Sequence, residues 1–308
     1  MKTPKFIKKG DTIGYSAMSN GITSSKKILL LEESKNVLNE YKIIEDKYTR
    51  NSFKGESASA LLRSKELNKF LKSEEVDLII SITGGNFLNE ILDYSRFNSF
   101  MKNPKWVQGQ SDSTILLYYL TTKYDTKTVY SFNANSLAKC TSKEIKDNLD
   151  ILSGLKITQS DYNNAWICKE DINIEGRIIG GCLECLIDLL GTKYDFTKKF
   201  LNKYKEDRII WYFDIDYMNN EVLRRNLWHL KNAGWFKYTD LIIFGRVEEN
   251  SYEGISEIEA IEKALLGTDI KYITNFDLGH TFPRVTIVNG SRVVVKCDEN
   301  NRTITILE

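Results

Sequence analysis

The 308-residue sequence predicts an α/β fold in two domains, and three observations carry that reading. Apolar runs of strand length alternate with stretches of helical period through the first half, the mark of a βα-repeating domain with a mainly parallel sheet. A chain of this length can bury more than one core. Its last part breaks into short β segments separated by turn residues, so the second domain is mixed α/β and ends in short antiparallel strands. The expected boundaries are an N-terminal α/β domain over 1–155, a linker or covering loop over 156–173, and a C-terminal domain over 174–308.

Thr12–Ala17 opens the series as a strand, followed by helices at Ser25–Tyr41 and Ala58–Lys72. Val76–Ile82 is nearly continuous in Ile, Leu and Val, as a strand covered on both faces requires. It stops at Thr83-Gly84-Gly85, and a helical segment follows at Asn86–Tyr94. Trp106–Gly109 is a short strand that runs into Gly109-Gln110-Ser111-Asp112-Ser113, after which Ile115–Lys123 continues as helix. Both special loops follow strands, so both open at the carboxyl edge of one sheet, where ligands bind in such folds. A helix at Thr141–Leu155 precedes the loose, polar stretch Lys156–Asn173, which contains Trp166 and is the expected linker. The second half reads as strand Arg177–Gly180, helix Gly181–Leu190, strand Arg208–Phe213, helix Asn220–Ala233, strand Asp240–Gly245, helix Ser256–Leu266 and strand Lys271–Thr274. Val285–Val288, Arg292–Cys297 and Thr303–Leu307 close the chain as short β segments, with Asn289-Gly290 and Asp298–Asn301 as hairpin signals.

Lys and Arg total 43 against 42 Asp and Glu, so no global field draws the chain to nucleic acid or to an anionic membrane. No apolar stretch approaches the ~20 residues of a membrane span, and MKTPKFIKKGDTIGYS lacks a signal-peptide core, so a cytoplasmic protein is expected. Five scattered cysteines suit a reducing compartment better than a disulfide framework. Cys182-Leu-Glu-Cys185 has the spacing of a metal or redox pair, but no second pair or nearby histidine completes a zinc site. Buried thiols at a helix start are expected there, with no metal and no cofactor.

Ser111 stands on a tight strand-to-helix turn, which exposes a hydroxyl above a helix N-terminus as a nucleophile requires. The competing reading is that Ser111 or Asp112 simply caps that helix. A serine needs a general base, usually a histidine oriented by a carboxylate, and the chain has two histidines. His229 lies within a helical stretch and is expected on its surface or edge, whereas His280 sits in the irregular Asp277-Leu278-Gly279-His280-Thr281, where it can be aimed at a partner. For the acid, Asp214 and Asp216 follow the buried-looking Ile209–Phe213 run and can face one side of the sheet, or else serve as solvated caps.

Val107-Gln108-Gly109-Gln110-Ser111-Asp112-Ser113-Thr114 resembles the nucleophile turn of the S66 serine peptidases, the LD-carboxypeptidases and their microcin C immunity relatives. Gly10-Asp11-Thr12-Ile13-Gly14, Ile82-Thr83-Gly84-Gly85, Gly180-Gly181-Cys182-Leu183 and Gly279-His280-Thr281 fall in that family's order, so the resemblance covers essentially the whole chain. It implies Ser111 as nucleophile, His280 as general base, and the backbone N–H groups of Gly85 and Asp112 as the oxyanion hole. It implies Asp214 as the acid, one methylene shorter than the family's glutamate, with Asp216 in reserve.

The resemblance further implies a serine carboxypeptidase-type hydrolase acting on a small peptide or peptide-nucleotide, and a homodimer. The substrate class is a murein peptide trimmed near its C-terminus in murein recycling, or an aminoacyl-nucleotide of the microcin type; a peptide-binding homologue without hydrolysis is a third reading. Gly84 and Asp216 are candidate substrate contacts. Trp166 either stacks on an adenine or is a linker tryptophan packed against the domain interface, and Lys169 and Arg177 could meet a substrate carboxylate or phosphate.

Overall fold

The computed structural model describes residues 1–155, 157–247 and 251–308. The chain gathers into two units, one formed by Met1–Leu155 with Thr286–Asn289, the other by the chain after Leu155 as far as Val285 with Gly290–Glu308. Lys156, the first residue of the expected linker, lies outside the described residues.

The first unit is built on a six-stranded sheet in the order Ile287–Asn289, Thr128–Tyr130, Trp106–Gly109, Val76–Ser81, Thr12–Ser16, Lys42–Glu45. Its pairings are parallel except the outermost, Ile287–Asn289 against Thr128–Tyr130. Thr12–Ser16 and Trp106–Gly109 are buried along their whole length, as covered central strands should be. The chain leaves Thr12–Ser16 toward one edge of the sheet and returns on its other side at Val76–Ser81, which creates a topological switch point. The segments after Ser16, Ser81 and Gly109 therefore open at one carboxyl edge, beside that switch.

The second unit has an eight-stranded sheet in the order Thr158–Ser160, Arg302–Ile306, Arg292–Cys297, Ile172–Cys182, Ile209–Asp214, Thr239–Gly245, Lys271–Phe276, Ile167–Cys168. Its four central strands are parallel and its flanks antiparallel. Trp211, Phe213, Trp235 and Phe236 pack ring against ring in its core. Helix Glu257–Leu265 starts in a capping box in which Ser256 and Glu259 satisfy each other's backbone N–H groups.

Several elements differ from expectation. The stretch expected as a linker supplies Thr158–Ser160 and Ile167–Cys168 to the sheet, and Ile172–Cys182 begins five residues before the expected strand at 177. Its first half is polar because that part is half exposed, so the apolar signal starts late. Ile287–Asn289 joins the first unit's sheet instead of the C-terminal ribbon. Lys42–Glu45 emerges where helix had been expected to end, helix Ser25–Val37 being shorter than 25–41. The expected helix at 86–94 is a 3-10 turn over Leu88–Asp93.

Candidate active site

In the first unit the carboxyl-edge loops converge on Ser111. This residue holds a positive φ of 60°, rare for a side chain with a Cβ, at the junction of Trp106–Gly109 with a short 3-10 turn and helix Thr114–Tyr124. The backbone is fixed from beneath: Gln110 N donates to Asn133 Oδ1 at 3.0 Å and Ser111 N to the Tyr130 hydroxyl at 3.1 Å. Neither the 3-10 turn nor the helix has a side-chain cap at its N-cap residue. Asp112 is turned elsewhere, its Oδ2 accepting from the Ser19 hydroxyl and, at 3.0 Å, from Leu88 N. That carboxylate ties the Ser111 turn to the segments following the neighbouring strands.

The glycine turn is pressed against the same residue. A Cβ on Gly84 would lie 3.1 Å from both Cβ and Oγ of Ser111, and one on Gly85 would collide with the Ser19 hydroxyl. Close backbone approach explains why two glycines stand here. Ser111, Gly84 and Gly85 are partly exposed, so the turn faces an accessible edge. Ser19, which no sequence motif singled out, is the residue around which Gly85 and Asp112 are packed.

In the second unit the structure brings Asp214, Asp216 and His280 together. Asp214 ends the wholly buried strand Ile209–Asp214, and its Oδ1 lies 3.1 Å from His280 Nδ1. On the other side of the ring, Asp216 Oδ2 lies 3.3 Å from Nε2. The strand Thr239–Gly245 stands between Asp214 and the strand that leads to His280, so the loop must cross it. It crosses at Gly245, where a Cβ would come within 2.8 Å of Leu278 O. Gly279, at φ +99°, then rests on Asp214: a Cβ there would strike the carboxylate and lie 2.9 Å from its carbon. Two glycines thus let the loop come close enough for the Asp214 carboxylate to meet the imidazole.

Electrostatics follow from that geometry. Burial works against the His280 charge, but the hydrogen bond to Asp214 and the charges of Asp214 and Asp216 outweigh it, and the pKa stands above the usual 6.5. Burial likewise pushes the Asp216 carboxyl up, with His280 opposing and Asp214 and Glu184 adding to the rise. Glu184 holds the Asp216 turn in place, its Oε1 accepting from Asp216 N at 3.1 Å and Tyr217 N at 3.0 Å. Its Oε2 accepts from the Cys182 thiol at 3.1 Å. That thiol is buried, and its bond to Cys185 together with burial raises its pKa well above 9.0, which disfavours the reactive thiolate. Among the described residues no group of three or more His, Cys, Asp and Glu could hold a metal ion.

Other candidates are engaged elsewhere. Trp166 is 1% exposed, stacked on Phe276 with ring centroids 3.8 Å apart, and its Nε1 donates to Asp277 Oδ2 at 3.1 Å. In this structure its face is filled by protein and cannot receive a base, a correction to its reading as a substrate contact. Arg177 is buried in bonds to Asp207, Gly290 O and Glu308, which removes it as a free anion contact. Lys169 pairs with Glu262, and His229 is exposed on helix Asn220–Asn232.

Comparison with known proteins places the chain in a family. The family model described as LD-carboxypeptidase N-terminal domain matches residues 13–131, and the LD-carboxypeptidase C-terminal domain model matches 175–295. The chain is 25% identical to the microcin C7 self-immunity protein MccF of Escherichia coli, over 96% of this chain and 93% of that protein. It is 22% identical to the "Probable murein peptide carboxypeptidase" of Bacillus subtilis, over 98% and 93%. The solved structure of MccF in complex with aspartyl sulfamoyl adenosine superposes with a TM-score of 0.83 at 21% identity, covering 99% of this chain and 98% of that one.

Proposed function

The chain belongs to the LD-carboxypeptidase family, the S66 peptidases, and from that premise we propose that it is a serine amidase acting on a murein peptide near its C-terminus. The observation that carries this reading is the imidazole of His280 held on Asp214 at a strand end, an oriented base of the kind a serine nucleophile needs. In the proposed reaction Ser111 Oγ bonds to the amide carbon while His280 takes the hydroxyl proton. The carbonyl oxygen gathers negative charge on the N–H groups of Gly85 and Asp112. The C–N bond then breaks, His280 hands its proton to the departing amine, and water repeats the cycle on the acyl-enzyme to release the acid and restore Ser111.

A second substrate class, the amide of an aminoacyl-nucleotide, is favoured by the likeness to MccF, a protein solved with aspartyl sulfamoyl adenosine. The burial of Trp166 against Phe276 gives no support to adenine stacking there, and we keep the murein peptide first. Incubating the protein in parallel with a murein tetrapeptide and with aspartyl sulfamoyl adenosine separates the two. Release of D-alanine supports the leading reading, and cleavage of the nucleotide conjugate alone supports the second. Cleavage of neither overturns both.

A further inference from the structure

The loop that carries His280 is held by a side chain outside the proposed catalytic set. Asp277–Val285 is closed at its base by a backbone bond, Val285 N donating to Asp277 O at 2.8 Å. Arg246, directly after strand Thr239–Gly245, reaches across the loop and binds it at three points. Nη1 pairs with Asp277 Oδ1, Nε donates to Thr281 Oγ1 at 3.2 Å, and Nη2 donates to Pro283 O at 2.6 Å. These contacts bracket His280 on both sides in sequence. Asp277 is fully buried, and its second oxygen accepts from Tyr162 N at 2.7 Å and Trp166 Nε1 at 3.1 Å. A buried carboxylate with a cation on one oxygen and two N–H donors on the other is a strongly directed strut, since removing either charge leaves the other stranded.

We propose that Arg246 and Asp277 form a clamp that positions His280, fixing the imidazole on Asp214 in the orientation that catalysis requires. The clamp rests on the reading of His280 as general base. Arg246 is a positioning residue and touches no reacting atom in this scheme. Its planar fork matters because three acceptors lie around it; a lysine ammonium supplies the charge but cannot span the same points. Loss of the fork frees the loop to shift, and a displacement of ~1 Å at a catalytic group can cost about 100-fold in rate.

The test uses full-length Arg246→Met, Arg246→Lys, Asp277→Asn, the Arg246→Met/Asp277→Asn double variant and His280→Ala, each assayed on whichever of the two amides the native protein cleaves. The clamp predicts that Arg246→Met and Asp277→Asn lower kcat roughly 10–100-fold with KM within about twofold, that Arg246→Lys recovers part of the loss, and that the double variant is no worse than the poorer single one. Imidazole NMR gives a second readout, because the chain has only two histidines and exposed His229 serves as internal control. His280 faces Asp214, Asp216 and Arg284, and in Arg246→Met its signals should move and its titration fall toward the ordinary range while His229 stays unchanged.

Native kcat and an unmoved His280 signal in folded Arg246→Met overturn the clamp, as does a lost kcat with an unmoved signal. Should Arg246→Met fail to fold, Arg246→Lys and Asp277→Asn are judged by the same two readouts. Full turnover in His280→Ala overturns the reading of His280 as base, and the NMR comparison still decides whether Arg246 holds the loop.

Discussion

Asp216 sits on the imidazole nitrogen that a Ser-His-acid mechanism needs to turn toward the serine, since Nδ1 is already engaged by Asp214. The two aspartates therefore have different expected roles. Asp214→Ala should lower kcat by about 10⁴, the order seen when a triad loses its orienting carboxylate. Asp216→Asn should leave most of kcat in place and instead change the pH profile, measured as kcat/KM from pH 5 to 9. The base works as neutral imidazole, so activity rises as pH passes through the His280 pKa, which lies above 6.5. Removing the Asp216 charge takes away one of the causes that raise this pKa, and the acid limb should move to lower pH. An unmoved limb would show that His280 does not control it. For folding the sign is opposite: the imidazolium contributes stability below its unfolded pKa near 6.5, and this is lost as pH rises through the higher folded value.

Among elements, turns decide more than helices here. Gly279→Ala combines a Cβ at φ +99° with a collision against Asp214, so it should lower turnover at least tenfold and destabilise by about 1–3 kcal/mol, read from kinetics and a urea midpoint. Ser256→Ala, far from Asp214 and His280 in sequence, removes half of a capping box and should cost about 1 kcal/mol with turnover unchanged. The two variants together separate a catalytic turn from a structural one. The same contrast explains what was legible from sequence. Val76–Ser81, Trp106–Gly109 and Ile209–Asp214 announce themselves because buried strands are mostly apolar, and the proposed catalytic residues Ser111 and Asp214 stand at or just beyond their ends. Thr128–Tyr130 is three residues long and Lys42–Glu45 lies half exposed at an edge, so neither carries a period to detect. Ser19, Arg246 and Asp277 were missed because their partners are distant in sequence. Arg246 did have one signal, a charged residue directly after a buried strand that ends in glycine at the carboxyl edge.

At the scale of the whole chain, the return of Thr286–Asn289 to the first unit makes the N-terminal half incomplete without residues from near the C-terminus. Ile287 and Val288 are buried, and Thr286 Oγ1 pairs with Ser131 Oγ at 3.0 Å and accepts from Asn148 Nδ2 at 3.2 Å. Pairing with Ile287–Asn289 covers one side of Thr128–Tyr130, whose Val129 and Tyr130 are themselves buried. Cutting this strand away exposes a sheet edge and loses the burial of two apolar side chains worth roughly 1.5–3 kcal/mol each. That sum is a large share of the ~5–15 kcal/mol by which a domain is stable. A fragment of residues 1–155 should therefore melt well below the intact chain and be cleaved readily by protease around 128–130. Joining residues 284–291 to it through a flexible linker should recover much of the loss, provided the linker lets the strand pair antiparallel. A fragment as resistant to heat and protease as the intact chain would mean that the strand is an ornament on a self-sufficient sheet. Rescue by the joined segment, and not by one with Ile287 and Val288 replaced by Asp, would place the stabilisation in those two side chains and their edge pairing.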